Sequence, residues 1–263
     1  MNDPHVVSLE YRIVHDPKHI EWSEAKDVVF AEDDFTVEIK NQRVFFRFTA
    51  HYTSEDEAQS AVRSYVQNWE FQVGLQCGPG AFNLRFVRSE MIDRNPPEGG
   101  QLVGFSGTLE IDSAINLILR PSEFPKPAAT GRIKRTPDVN NMYHRYLGYR
   151  AGQEPLPSMA YFCFTVLESM AGRARKRTER RQAAAEKFSV AVDVLNRVGD
   201  LSSEAGGPAA RKQVGINQPY SPDDETFLRT AIQHMIFRAA EVAHDPDTPR
   251  EPITLETIRS NRI

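Results

Sequence analysis

The chain has 263 residues, of which 40% are hydrophobic and 26% charged, a composition typical of a globular rather than a disordered protein. Its net charge is −4, its two cysteines lie too far apart to suggest a disulfide framework, and no apolar run reaches the roughly 20 residues of a membrane helix. Because residues 1–10 are also too polar for a secretory signal peptide, we expect a cytoplasmic protein without membrane association.

The N-terminal region alternates between apolar and polar residues, which is typical of strands with one buried face. Apolar side chains take every second position from Val7 to Ile13, and again in residues 35–39 and 44–52. Asn41-Gln42, between the last two runs, predicts a hairpin turn.

The hydrophobic period then changes from that of a strand to that of a helix. Ser54 and Glu57 have the spacing of a capping box, and apolar residues recur at helical spacing up to Trp69. Alternation returns in residues 82–86 and, less regularly, in residues 102–119. Strands on both sides of one amphipathic helix predict an α+β domain with a mainly antiparallel sheet over residues 1–120.

Prolines interrupt this pattern in residues 121–139, which we interpret as a basic linker between domains. Apolar residues at helical spacing then predict an all-α helical bundle domain over residues 140–245, followed by an irregular tail over residues 246–263. Ser221 followed by proline and two acids is a strong helix start. Helices are expected at residues 140–149, from residue 157 or 158 to Gly172, at residues 188–198 and after Ser221, with a loop over residues 199–220.

Basic side chains are concentrated in one part of the chain. Residues 1–124 carry 11 basic and 20 acidic side chains, whereas residues 126–181 carry 12 basic and four acidic ones, which predicts binding of RNA or another polyanion there. Attraction between domains of opposite charge is the alternative. The alternative for the densest run is a solvated helix start or a loop, and the loop is favoured because cations oppose the dipole at a helix N-terminus. That run contains Arg173, Arg175, Lys176, Arg177, Arg180 and Arg181.

A second candidate binding segment mixes tyrosines with basic side chains, which together can stack on bases or hold an anionic ligand. The alternative is that the tyrosines pack inside the domain while the arginines reach water, with Arg150 paired to Glu154. The segment consists of Tyr143, His144, Arg145, Tyr146, Tyr149 and Arg150.

Two arginine–histidine spacings in the last helix suggest catalysis. Helical RNases of the HEPN class use such a pair, in which the arginine stabilises the phosphate and the histidine acts as general acid or base. A surface network on the polar face of the helix is the alternative interpretation. The histidines and cysteines show no zinc-type spacing, so neither a metal site nor a cofactor is predicted. The pairs are Arg229 with His234 and Arg238 with His244.

Short segments between about residues 80 and 245 resemble a known family. They are Phe82–Phe86, Ile92–Pro97, Met142–Tyr146, Tyr149-Arg150, Glu154–Leu156, Met159–Cys163, Thr165–Glu168, Val194-Leu195, Gly199–Leu201, Ala210–Lys212 and Arg238–Ala243. In these segments the chain resembles the methylamine-utilisation protein MauJ-like family, named after its operon. The resemblance implies an accessory role beside methylamine oxidation and brings no catalytic residues with it.

These observations predict a non-catalytic accessory or interaction protein that binds a protein partner, with a link to methylamine utilisation implied by the resemblance. The alternative is an RNA-binding or HEPN-like RNase-type helical protein of a defence or stress system, acting through residues 126–181 and the arginine–histidine pairs.

Overall fold

The computed structural model describes residues 2–15, 20–96, 121–124, 133–172, 176–204 and 220–260. The chain forms two compact units, Met1–Gly131 and Arg132–Ile263. The first contains a sheet and a helix and the second contains helices, which confirms the predicted α+β class. The strand predicted in residues 102–119 lies outside the described residues.

The N-terminal unit is built on a five-stranded sheet with the order β2-β3-β4-β1-β5, in which all neighbours are antiparallel. The helix α1 (Glu55–Cys77) packs on one face, where Tyr65 and Trp69 contact the aromatic side chains of the strands. We call the opposite face of the sheet the outer face. The strands are β1 (Pro4–Val14), β2 (Val28–Ala31), β3 (Phe35–Lys40), β4 (Arg43–Phe48) and β5 (Asn83–Asp93).

A two-residue turn joins β3 and β4. Asn41 and Gln42 have φ angles of 51° and 61°, the left-handed conformation that a tight hairpin requires at both central positions. The predicted hairpin is therefore confirmed.

The pairing of β1 with β5 contains two register shifts, one between Val6 and Ser8 and one between Glu10 and Tyr11. At the first shift Val6 is fully buried, whereas Val7 is only partly buried. The prediction that Val7 begins the buried face is therefore wrong, because the extra residue of a β-bulge reverses the alternation.

The start of α1 follows the predicted capping box. The Ser54 hydroxyl accepts a hydrogen bond from the Glu57 N–H at 3.3 Å, and the Glu57 carboxylate accepts from the N–H and the hydroxyl of Thr53. Local side-chain bonds thus fix where the helix begins.

The C-terminal unit is a helical bundle around α3, which contacts α2, α4, α5 and α6. Its buried stripe includes Met159, Cys163 and Leu167. The predicted ends of α3 are confirmed within a residue, with Gly172 at the C-terminal cap at a φ of 133°. The helices are α2 (Pro137–Arg150), α3 (Leu156–Ala171), α4 (Arg177–Phe188), α5 (Val192–Glu204), α6 (Pro222–His244) and α7 (Leu255–Ser260).

Serine and threonine caps start two of these helices. Ser221 accepts the N–H of Asp224 at 3.1 Å, as predicted for the start of α6. Thr136 accepts the N–H of Val139 at 3.3 Å, so that α2 begins at Pro137, inside the segment predicted as linker. Proline is tolerated there because the first helical N–H needs no partner within the helix.

One continuous helix was predicted over residues 188–198, but the chain breaks at Ser189, which has a left-handed φ of 47°. The C-terminal segment pairs with this break, since the Ala191 N–H donates to the Ile253 carbonyl and the Ile253 N–H donates to the Ser189 carbonyl. The predictions of an irregular tail and of a loop from residue 199 are also wrong, because α7 follows this pairing and α5 continues to Glu204.

None of the helices in the described parts of the chain combines the length and apolar character that crossing a bilayer requires.

Candidate functional site

The basic run of the C-terminal unit lies at the start of α4. Arg173 and Arg175 lie outside the described residues, Lys176 occupies the N-cap position without a side-chain cap, and the remaining three arginines belong to the first turns of the helix. The favoured loop is therefore wrong from Arg177 onward, where the run forms a helix start. Acidic side chains offset the unfavourable dipole, since Lys176 lies 3.4 Å from Glu179 and Arg177 lies 3.6 Å from Asp200 of α5.

The last two arginines of the run face Glu168 of α3. Arg180 and Arg181 approach its carboxylate at 3.8 and 3.7 Å, and Arg181 is only 7% exposed. Burial raises the pKa of Glu168 in spite of these cations, and burial lowers the pKa of Arg181. Arg181 and Glu168 are therefore buried within the bundle and are not available to bind a polyanion.

Arg181 also crosses to α5. Its Nη1 donates to the Asn196 side-chain oxygen at 2.5 Å, its guanidinium lies 5.4 Å from the Phe164 ring centroid, and its Nη2 lies against the backbone of Gly199. Within the described residues, Nε and Nη2 of Arg181 are buried without a hydrogen-bond partner. Arg181 thus joins three helices by packing and charge.

Part of the aromatic-basic segment serves the packing of the bundle. Tyr143 is buried, with the Arg135 guanidinium 5.6 Å from its ring centroid, and its neighbour His144 is exposed. Arg145 pairs with Glu154 at 2.8 Å and lies 4.7 Å from the Phe162 ring. Glu154 therefore binds Arg145 rather than Arg150, the partner expected from the sequence.

The rest of that segment meets α6. The fully buried Tyr146 hydroxyl accepts hydrogen bonds from Arg150 at 3.0 Å and from Gln233 at 2.6 Å. Burial raises the pKa of Tyr146, while the positive charges of Arg150 and Arg229 act in the opposite direction. Tyr149 lies within the electrostatic reach of the same two arginines. We call the half-buried set Tyr149, Arg150, Arg229 and Gln233 the α2–α6 patch.

The structure thus brings together residues from two separate sequence hypotheses. Arg229 was a candidate catalytic residue and Arg150 a candidate binding residue, yet the charges of both act on Tyr146 and Tyr149, and Arg150 also donates to the Tyr146 hydroxyl. No sequence pattern within either segment predicts that these residues lie close together, because their proximity depends on how α2 packs against α6.

Arg238 has a structural role that its spacing to His244 does not suggest. Its Nη1 donates to the carbonyls of Phe188 and Ser189 at 3.0 and 3.2 Å, its Nη2 donates to the Glu251 carbonyl at 2.8 Å, and its Nε donates to Glu241 at 2.9 Å. The side chain therefore ties the end of α4 and the C-terminal segment to α6.

The two candidate histidines of α6 occupy different environments. His234 is half-buried, and burial, together with the charge of Arg238, lowers its pKa. His244 ends the helix and is exposed. The arginine of the second pair is thus already bound to four oxygen atoms of its own chain.

One feature of the N-terminal unit was not predicted from the sequence. His5 and His51 stack with their Nδ1 atoms 3.2 Å apart, beside Asp3 and Arg94, although the two histidines lie far apart in the sequence.

In the described residues no group of three or more potential ligands could hold a metal ion. Burial raises the pKa of the free Cys163 thiol, which makes it a poor nucleophile.

A small pocket of about 260 Å³ lies between α5, α6 and α7, lined by Arg197, Phe227 and Arg259 among others. Arg197 is held by Asp224 at 3.0 Å and covers the Phe227 ring at 4.4 Å. The volume of this pocket is below the roughly 300 Å³ of the smallest usual ligand pockets.

In comparisons with known proteins, no family model, no curated protein and no solved structure matches this chain.

Proposed function

We propose that this protein is a non-catalytic interaction protein whose helical unit binds a protein partner through the α2–α6 patch. The observation that carries the proposal is the pair of hydrogen bonds that Arg150 and Gln233 donate to the Tyr146 hydroxyl, with the charge of Arg229 acting on both Tyr146 and Tyr149. Tyrosine and arginine are the side chains that most often dominate binding energy at protein interfaces.

The arrangement of the patch is more favourable for binding a partner than for catalysing a reaction. Arg150 and Gln233 are held in place by the buried Tyr146 hydroxyl, so little side-chain entropy would be lost when a partner binds. Tyr149 and Arg229 remain half-buried, which leaves part of each side chain accessible.

The contacts of Arg238 give the competing cleavage hypothesis less support. A catalytic arginine must direct its N–H groups towards a phosphate, whereas Arg238 directs them towards three carbonyls and a carboxylate of its own chain. Arg229 with His234 remains the alternative pair. The link with methylamine utilisation stays a prediction from the family resemblance.

Partner capture with purified protein, followed by chemical cross-linking, tests the proposal. We expect the double variant Tyr149→Ala/Arg229→Ala to bind its partner at least tenfold more weakly at nearly unchanged Tm, because both side chains are half-exposed. The matched control is Arg177→Ala, an exposed arginine of the same unit.

An RNA cleavage assay provides the opposing result. The wild-type protein is expected to leave labelled RNA intact. Cleavage that is lost in His234→Ala or in His244→Ala would show that the protein is an enzyme, and equal partner capture by all variants would exclude the α2–α6 patch.

A further inference from the structure

The strand register places a line of basic side chains across the outer face of the N-terminal sheet. Lys40 of β3 is opposite Arg43 of β4, Arg43 is opposite Arg12 of β1, and Arg12 is opposite Arg85 of β5. We call Lys40, Arg43, Arg12 and Arg85 the basic row. Because neighbouring strands lie about 4.8 Å apart, the row spans about 14 Å.

Burial confirms that the basic row points away from α1. Tyr11 and Ile13 on either side of Arg12 belong to the core, and so does Leu84 beside Arg85. Alternation along a strand then directs Arg12 and Arg85 to the opposite face. Lys40, Arg43 and Arg85 are exposed, and the Arg43 side chain is 53% accessible.

A buried carboxylate orients one arginine of the row and a neighbouring arginine. Glu10 is only 3% exposed, and its two oxygens accept hydrogen bonds from Arg43 and Arg88, whose side chains remain 53% and 45% exposed. Both guanidinium groups are therefore held in position by Glu10 while much of their surface faces solvent. Such fixed, exposed guanidinium groups suit recognition of phosphate.

The row places like charges directly opposite each other on antiparallel strands, an arrangement that is unfavourable unless other groups offset it, as Glu10 does for Arg43. It also contrasts with the acidic composition of residues 1–124, which carry only 11 basic side chains against 20 acidic ones. The paired strands place six of these 11 on the outer face, against three acids, Glu10, Glu38 and Glu90. The basic side chains are Arg12, Lys40, Arg43, Arg47, Arg85 and Arg88.

We infer that the outer face binds single-stranded nucleic acid, with phosphates along the basic row and a base against Phe45. A line of cations fits a linear polyanion better than a compact anion. Phe45, half-buried and directly opposite Glu10, offers an aromatic surface next to the row, with the Arg47 guanidinium 5.8 Å from its ring centroid. Bases of any sequence stack on such aromatic side chains.

Fluorescence anisotropy with a labelled oligouridylate of about 12 nucleotides tests this inference on the full chain. We expect a Kd of about 10 µM at about 50 mM salt and clear weakening at about 200 mM. The double variant Arg12→Gln/Arg85→Gln should bind at least tenfold more weakly, and its salt slope should fall by about 1.4, at about 0.7 for each lost phosphate contact.

A stability measurement separates binding from structure. Because Arg12 and Arg85 lie outside the core of the unit, the variant should keep a Tm close to that of the wild-type protein. If the double variant does not fold, Lys40→Gln at the end of the hairpin should lower the affinity and the salt slope in the same direction, by about one phosphate contact.

The matched control is Lys176→Gln/Arg177→Gln, which removes the same charge from the C-terminal unit and should leave oligonucleotide binding unchanged. Loss of binding in this control alone would place the site on α4 and overturn the inference. Absence of oligonucleotide binding at low salt, or row-dependent binding to phosphatidylserine vesicles without oligonucleotide binding, would also overturn it. None of these results bears on partner capture by the α2–α6 patch.

Discussion

Arg181 and Glu168 bring opposite charges into the interior of the helical unit at 3.7 Å, beyond the length of a hydrogen bond. Such a pair contributes little net stability, because the loss of hydration offsets the attraction. The contribution of Arg181 therefore comes from its contacts with Asn196, with the Phe164 ring and with the backbone of α5.

The substitution Gly199→Ala tests this close approach. A Cβ atom at position 199 would overlap Nη2 of Arg181 and lie 3.2 Å from its Cζ, so we expect the free energy of unfolding to fall by about 1–3 kcal/mol. The control is Gly148→Ala in α2, where the nearest atom is 3.9 Å away and removal of glycine should stabilise the helix by about 0.5–1 kcal/mol. Urea unfolding measures both, and equal effects of the two substitutions would refute the steric explanation.

At the scale of elements, the sequence predicts correctly what neighbouring residues determine. The Asn41-Gln42 turn and the caps at Ser54 and Ser221 involve contacts within a few residues, and all three are present. The bulge at Val7 and the break at Ser189 were missed, because each depends on a strand or segment that lies far away in the sequence.

The four hydrogen bonds of Arg238, which we call the clamp, tie α4 and the C-terminal segment to α6, and their contribution to stability can be tested. Arg238→Met removes four hydrogen bonds from a side chain that is 11% exposed, and we expect a loss of about 2–4 kcal/mol together with faster proteolysis after residue 245. Arg177→Met, which removes an exposed ion pair, should change stability by less than about 0.5 kcal/mol. Urea unfolding and limited trypsin digestion measure the two effects, and an unchanged cleavage pattern in Arg238→Met would contradict the role of the clamp.

At the scale of the whole molecule, the chain consists of two compact units. We therefore expect residues 132–263 alone to keep the helical circular dichroism signal of the bundle and to unfold cooperatively in urea. Introducing Arg238→Met into this fragment should lower its midpoint as in the full chain. A fragment without a cooperative transition would show that the bundle needs the N-terminal unit to fold.

The candidate sites could not be predicted from the sequence, because they depend on contacts between residues that are far apart in the chain. Counting charges in sequence emphasised the run up to Arg181, but its partners Glu168 and Asp200 come from other helices. The basic row escaped notice because its members are spread over residues 12–85, within a region whose net charge is acidic. Only the strand register places Arg12 beside Arg43 and Arg85.

The close approach of Arg181 to Gly199 also has a consequence for how the two positions evolve. As long as position 181 carries arginine in this arrangement, position 199 has room for a hydrogen atom but not for a methyl group. If position 181 changes to a shorter side chain, a larger residue than glycine becomes possible at position 199. If the glycine is replaced first, the arginine must also be shortened or adopt another orientation. The two positions, on α4 and α5, are therefore expected to change together in evolution.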